Sequence, residues 1–183
     1  YTYATARFLL RTLYTEALDF LELPTAVYTN NHAGVYHHYF QHYIKRGVAL
    51  ELLDPQLRSF DLEKLGKALL PERDQQFTYL SLQTLYDRYF LHADDVRFEL
   101  PQAFFMRIAM GLAQQESNKE DRAIEFYQLL SSFDYMASTP TLFNAGTLRP
   151  QLSSCFLTTV ADDLDQIYSA IKDNALLSKF AGG

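Results

Sequence analysis

The sequence predicts a mainly α chain: a helical domain over residues 1–137 that leads, over 138–183, into the first strand and helix of an α/β domain that the sequence does not complete. Three observations carry that prediction. Apolar side chains recur at helical spacing in segment after segment as far as about Tyr135. The pattern then breaks in "STPTLFNAGTLRP", residues 138–150, a stretch of Ser, Thr, Pro, Asn and Gly. Beyond it come a short β-branched and aromatic run, "CFLTTV", and one more amphipathic segment.

From Tyr3 to Leu21, the side chains of Ala6, Leu9, Leu10, Leu13, Ala17, Leu18 and Leu21 mark one face of a helix that Pro24 ends. Gly34 to Arg46 predicts a second, with Val35, Tyr39, Phe40, Tyr43 and Ile44 on one side and Gly47 suited to the left-handed position after a helix end. Asp54-Pro55 marks a turn, and Asp61 can cap a short helix through Leu70 that Pro71 terminates. Residues 78–91 and 101–114 repeat the helical pattern, the second opening on Pro101, whose missing N–H would have had no partner in a first turn. Between them, "HADDVRFEL" reads as a loop or a short hairpin. Ser117 and Glu120 fit a capping box at the head of a helix reaching about Tyr135.

Thr139-Pro140 disfavours helix at Thr139, Asn144 to Gly146 supply turn residues, and Arg149-Pro150 closes a loop. Residues 155–160 then read as a buried strand. Asp162 or Asp163 caps a final helix in which Leu164, Ile167, Ile171 and Ala175 form an apolar stripe that Leu176 and Leu177 widen.

Composition narrows the function classes. At 183 residues and 48% hydrophobic, the chain can bury a sizeable core in one domain or at most two. Its 22 acidic and 16 basic residues give a net charge of −6 without a Lys/Arg block, which argues against a grip on a nucleic acid backbone. A free nucleotide stays compatible, because a few backbone amides can hold a phosphate. No apolar run approaches the roughly 18 residues of a membrane span, and Arg7 and Arg11 lie inside the first apolar pattern rather than before it, so neither a signal peptide nor a membrane segment is expected. The chain begins within a helical pattern and stops on Ala181-Gly182-Gly183 straight after another, as a piece of a longer protein would.

Cys155 is the only cysteine, so no internal disulfide can form; the setting is either a reducing, cytosolic one or one in which the partner thiol lies elsewhere. A thiol at the threshold of a strand, after Ser153 and Ser154, would stand rigidly at the mouth of a sheet, where α/β folds put their ligands. Taken alone, a cysteine in an apolar run is a core residue, and the Thr139 hydroxyl alone stabilises a turn. His38 and His42 have metal-ligand spacing but no third ligand type nearby, so no metal site is expected; Tyr36, Tyr39 and Tyr43 form an aromatic face for packing.

"STPTLFNAGT", "RPQLSSCFL", "DDLDQIY" and the final "AGG" stand in one order at close spacing, and together they resemble the catalytic α subunit of class I ribonucleotide reductases. The resemblance is closest over 138–183. Upstream, "YTYATARFLL" is similar to the segment that follows the family's ATP-cone, and "FELPQAFFMRIAMGL" to its helical domain. It implies that the last residues open a ten-stranded α/β barrel. In that family a thiyl radical abstracts the 3′ hydrogen of a ribonucleoside diphosphate, and the cysteine matched by Cys155 is half of a redox pair that assists loss of the 2′-hydroxyl as water and ends as a disulfide.

The other matches follow residue by residue. Thr139 and Ser154 match positions that hold the substrate's phosphate and ribose, and Gly182 and Gly183 let the backbone approach it. Asp162 matches an acidic residue that holds the effector ribose, although "DDLD" leaves Asp163 as an alternative. The stripe through Leu164, Ile167 and Ile171 matches the family's dimer helix. The resemblance further implies dNTP or ATP effectors, a metal-containing small subunit that supplies the radical, electrons from thioredoxin or glutaredoxin, no cofactor in this chain and a cytoplasmic location. The radical cysteine, the base glutamate and the second redox cysteine have no match here, so the chain by itself should be inactive. Two rivals stand against this reading: a non-catalytic helical binding or regulatory module in which Cys155 is core, and a cobalamin-dependent reductase.

Overall fold

The structure is a computed structural model that describes residues 1–24, 32–153 and 155–179, the side chains of 32–34 excepted. Helix α1 runs Thr2–Phe20 and buries Ala6, Leu10, Leu13, Tyr14, Ala17 and Leu18, the face its spacing defines. It closes with Glu22 in the left-handed region (φ 57°), and the Leu23 amide donates back to the Leu18 carbonyl at 2.9 Å. Helix α2, His32–Ala49, runs through Gly47. That glycine is therefore not the residue after the helix. A Cβ on it would stand 2.5 Å from Leu53 Cδ1, so its bareness admits the Leu53 side chain. The left-handed position falls instead to Glu51 (φ 56°).

A 3-10 turn at Pro55–Ser59 follows its cap Asp54, and α3, Leu62–Ala68, starts as expected, with Asp61 Oδ1 accepting from the Lys64 amide at 2.9 Å. Helix α4, Tyr79–Arg88, is capped by Thr78. The polar segment after it is a hairpin, with β1 at His92–Ala93 and β2 at Val96–Arg97. Asp94 and Asp95 make its turn at φ 50° and 62°, the mirror-image geometry that a two-residue hairpin needs.

Helix α5, Pro101–Ala113, is apolar nearly all round, and every residue from Pro101 to Met110 is buried. It packs along α6, Lys119–Ser131, while α1 packs along α4 and α2 along α3. The capping box of α6 does not form. Asn118 takes the cap position without a side-chain bond to the helix backbone, its Nδ2 donating to Asp121 Oδ2 at 2.6 Å instead, and Glu120 Oε1 accepts from the Asp61 amide of another element at 3.2 Å. Helix α6 also stops short of Tyr135, because Phe133 turns left-handed (φ 65°) and lays its ring against Phe77 and Phe105.

The chain after residue 137 departs most from expectation. Thr139–Asn144, predicted as loop, is a short helix, α7, with Ser138 at its cap position and Pro140 in its first turn, where proline's fixed φ suits a helix start. Residues 155–160, predicted as a buried strand, carry no ladder, and Phe156, Leu157 and Val160 are exposed. A strand exists only by pairing, and among the described residues none forms a ladder with this segment. The final helix α8, Leu164–Lys179, does form. Among the described residues the fold is thus mainly α with one small hairpin, and no described helix is long and apolar enough to cross a membrane.

Candidate functional site

Helix α7 forms one wall of a cleft of about 720 Å³, into which Thr139, Phe143 and Thr147 face together with Glu51, Leu91 and Arg149. Thr139 sits at the solvent end. Its hydroxyl lies 3.5 Å from that of Tyr89, whose ring stacks on Phe143 at 4.6 Å between centroids. On its flank, Asn144 Nδ2 donates to the Gln151 carbonyl at 2.7 Å and the Thr141 hydroxyl to the Leu152 carbonyl at 3.5 Å. The α7 helix therefore holds the backbone three residues ahead of Cys155.

Behind α7 lies a fully buried ion pair. Arg107 Nε donates to Glu99 Oε1 at 2.7 Å, and Nη2 to Oε2 at 3.3 Å. Its remaining donors reach the carbonyls of Ala145 (Nη1, 2.6 Å), Leu142 (Nη2, 3.2 Å) and Phe143 (Nη1, 3.4 Å). These belong to the last turn of α7 and to Ala145, which caps it, where carbonyls have no helical partner and the helix dipole is negative. Glu99 accepts two more bonds, from the Tyr43 hydroxyl at 2.5 Å and the Leu91 amide at 2.9 Å. Burial alone would lower the Arg107 guanidinium, and the charges of Glu99 and Tyr43 together with its hydrogen bonds to both more than offset it, so the cation is held. Burial raises the Tyr43 hydroxyl well above its usual range.

The chain can approach this closely because of two glycines. Gly146 takes φ 76°, and a Cβ on Gly111 would stand 2.2 Å from the Gly146 nitrogen. Residues 146–148 then return to the body: Asp54 N donates to Gly146 O at 3.1 Å and Leu148 N to Leu52 O at 3.3 Å.

A second buried cluster centres on Asp74, which accepts from Tyr14 (2.6 Å) and Tyr36 (2.9 Å) through Oδ2 and from Gln102 (2.7 Å) through Oδ1. Burial pushes its carboxyl up to about 6 in spite of these three donors. Tyr127 donates to Gln102 Oε1 at 2.6 Å, and burial lifts its own hydroxyl to about 12. Tyr39 donates to the Phe98 carbonyl and accepts from Leu100 N at 3.0 Å. The face of Tyr36, Tyr39 and Tyr43 thus packs, as expected, but each hydroxyl also joins a buried polar network that the spacing does not reveal. Its signal is present all the same: Glu99, Gln102 and Arg107 stand inside an otherwise apolar run.

Of the remaining candidates, Cys155 is exposed, so it is not the core residue that a cysteine in an apolar run suggests, nor does it sit on a paired strand. Ser154, Gly182 and Gly183 lie outside the described residues. Asp163 is the cap of α8, its Oδ2 accepting from Gln166 N at 3.2 Å, and Asp162 is exposed beside it. Leu164 and Ile171 are 67% and 58% exposed and Ile167 half-buried, whereas Ala170 is buried. The thiol-bearing segment runs beside this helix, with Thr158 donating to Asn174 Oδ1 at 2.8 Å. The His42 ring bonds to the His38 carbonyl at 2.8 Å, and no described group of three His, Cys, Asp or Glu residues is placed to hold a metal.

Comparison with known proteins bears on the same residues. Residues 75–150 match the family described as ribonucleotide reductase, all-alpha domain. Over 184 residues, covering 100% of this chain, the sequence is 49% identical to the ribonucleoside-diphosphate reductase subunit alpha of Chlamydia muridarum. It is 47% identical over 146 residues, 79% of the chain, to the subunit of the same name from Helicobacter pylori, and 43% identical over 122 residues, 66% of the chain, to the large subunit from monkeypox virus. The chain spans 17%, 18% and 15% of the lengths of these relatives.

Proposed function

This chain belongs to the ribonucleotide reductase large-subunit family, and from that premise we propose that it supplies one side of the active site in which a ribonucleoside diphosphate is reduced to its 2′-deoxy counterpart. Thr139, with Ser154 and the Gly182-Gly183 backbone, would hold the substrate. Cys155 would act as one of two redox thiols. In that step the 2′-hydroxyl leaves as water, hydrogen takes its place on carbon, and two thiols become one disulfide, which balances atoms and electrons. Thioredoxin or glutaredoxin would return the disulfide to thiols, and a small subunit would supply the radical that activates the 3′ position, both in the cytoplasm.

The observation that carries this reading is the continuity of α7. Its exposed end places Thr139 in the cleft, and its flank binds the carbonyls of Gln151 and Leu152, which lead directly to an exposed thiol. The helix that carries a polar hydroxyl thereby also holds the chain just ahead of the sulfur, the proximity that substrate contact and reduction require. The division of the chain at 138 belongs to this proposal as a functional boundary, since the residues assigned to substrate, effector and dimer contacts all lie from Ser138 onward. Asp162, exposed beside the cap residue Asp163, would meet the ribose of a dNTP or ATP effector, a sugar hydroxyl donating to the carboxylate. The stripe of Leu164, Ile167 and Ile171 would pair with its copy in a homodimer.

The test is Cys155→Ser in the full-length subunit with its small subunit. Multiple-turnover reduction should vanish while nucleotide binding persists; undiminished steady-state turnover would remove Cys155 from the chemistry.

A further inference from the structure

A buried ion pair is a poor device for stability, because the cost of taking both charges out of water rivals their attraction. The Glu99–Arg107 pair is fully buried and also makes five further hydrogen bonds, so what it connects matters more than its strength. Through Arg107 it grips the carbonyls of Leu142, Phe143 and Ala145, the trailing end of α7. Through Glu99 Oε2 it holds the amide of Leu91. Leu91 and α7 both contribute to the cleft that Thr139 enters. Both are therefore fixed to one ion pair.

Helix α7 depends on that grip for its orientation. It has six residues, begins with a proline in its first turn, and so has too few internal hydrogen bonds to hold its own direction. Its outward flank is bonded to the passing backbone at Gln151 and Leu152, and its rear meets α5 where Gly111 and Gly146 touch. A guanidinium group can make this connection because its five donors lie in a rigid plane, satisfying a carboxylate on one side and a splayed set of carbonyls on the other, which an ammonium group cannot do. The Phe104 ring, 5.3 Å below the guanidinium, leaves the plane little freedom.

We infer that Arg107, oriented by Glu99, is a positioning residue for substrate recognition: it sets α7 against Leu91 and so fixes where the Thr139 hydroxyl stands in the cleft. This rests on the reading of Thr139 as a substrate contact. A purely structural Arg107 would alter folding stability alone, whereas a positioning role moves the affinity for substrate with the chemical step left intact.

The experiment uses the full-length subunit with its small subunit and compares Arg107→Lys, Thr139→Ala and the double variant by steady-state kinetics with a ribonucleoside diphosphate. Arg107→Lys keeps the charge and loses the fork. It should raise KM about tenfold, the loss of one charge-assisted hydrogen bond, and leave kcat within about twofold. In the Thr139→Ala background the same change should add less than about twofold, because the lysine then displaces a side chain already gone. An unchanged KM in Thr139→Ala would overturn the substrate reading and this inference with it. A raised KM in Thr139→Ala, joined either to an unchanged KM in Arg107→Lys or to effects that multiply in full, would overturn the positioning role alone. Should Arg107→Lys not fold, Tyr43→Phe, which removes one bond to Glu99 Oε1, decides by the same criteria at smaller amplitude.

Discussion

Helices α5 and α8 carry the same kind of message and meet opposite fates. Both have apolar side chains at helical spacing, over 13 and 16 residues respectively. In α5 every residue from Pro101 to Met110 is buried, and even its Gln102 and Arg107 are enclosed by partners. In α8 only Ala170 is, while Leu164, Tyr168, Ile171 and Leu176 face solvent. Periodicity therefore specifies a helix and an apolar face, but burial is decided by what the rest of the structure brings to that face. The first helix is held in place from all sides, whereas the described residues leave much of the second helix's apolar side exposed.

The sharpest test of that contrast is a matched pair of truncations. Phe104 is fully buried, in edge contact with Phe90, Tyr89 and Phe105, so Phe104→Ala should cost about 3–5 kcal/mol. Leu176→Ala on α8 should stay within about 0.5 kcal/mol. Denaturant unfolding of the two variants measures both, and a comparable loss at Leu176 would break the comparison.

The next effect comes from the polar side of α5. Asp74, bonded to Gln102, has its carboxyl pushed from 3.8 up to about 6 by burial, with Arg7 the nearby opposing charge. A carboxyl whose folded value lies above its unfolded one keeps its proton longer in the native state, so its contribution to stability is fullest below about pH 4 and is lost as pH rises through 6. The full swing is on the order of 3 kcal/mol. Wild type should lose that much relative to Asp74→Asn between pH 4 and 7 in unfolding titrations. A difference that stays constant with pH would mean that the carboxyl is not buried as described.

How far all this is legible in the sequence follows the same division. The helices α1, α2, α4, α5 and α8 are readable because their apolar spacing is local and their faces unambiguous. Where expectation and structure part, the cause is shared: a local rule is outweighed by a tertiary contact. The preference of Thr139 against helix before proline yields to a first-turn position and to Arg107 gripping the other end of α7. The capping box at Ser117 loses its glutamate to the Asp61 amide, and Gly47 is needed as space for Leu53 rather than as a helix terminator. A strand at 155–160 rests on residue type alone, which cannot supply a neighbour. At the site, Thr139 and Cys155 are visible as chemistry-bearing residues in a polar stretch, whereas Glu99 and Arg107 look in sequence like two charges eight positions apart. A cation inside an all-apolar run is the available sign that a buried partner exists.

A smaller effect tests whether α8 stands on its own caps. Asp163 Oδ2 accepts from Gln166 N at 3.2 Å, so Asp163→Ala should weaken the helix by about 1 kcal/mol, read as faster amide exchange in the first turn of α8 with α5 unaffected. Equal exchange in variant and wild type would mean that the helix depends on contacts along its length instead.

The smallest expected change in the folded chain is the one that bears most on function. Ile171 is 58% exposed, so Ile171→Glu leaves no buried charge and should alter unfolding free energy by no more than about 0.5 kcal/mol. In a homodimer built on the stripe of Leu164, Ile167 and Ile171, the same carboxylate would be carried into an apolar interface without a counter-charge, a cost of several kcal/mol per buried pair of copies. The two measurements then separate. Unfolding should superimpose on wild type, while sedimentation velocity of the full-length subunit with a dNTP effector should show the loss of the dimer. A variant that still dimerises would assign the exposed face of α8 to something other than a second copy, and its difference from α5 would then need another explanation than a missing partner helix.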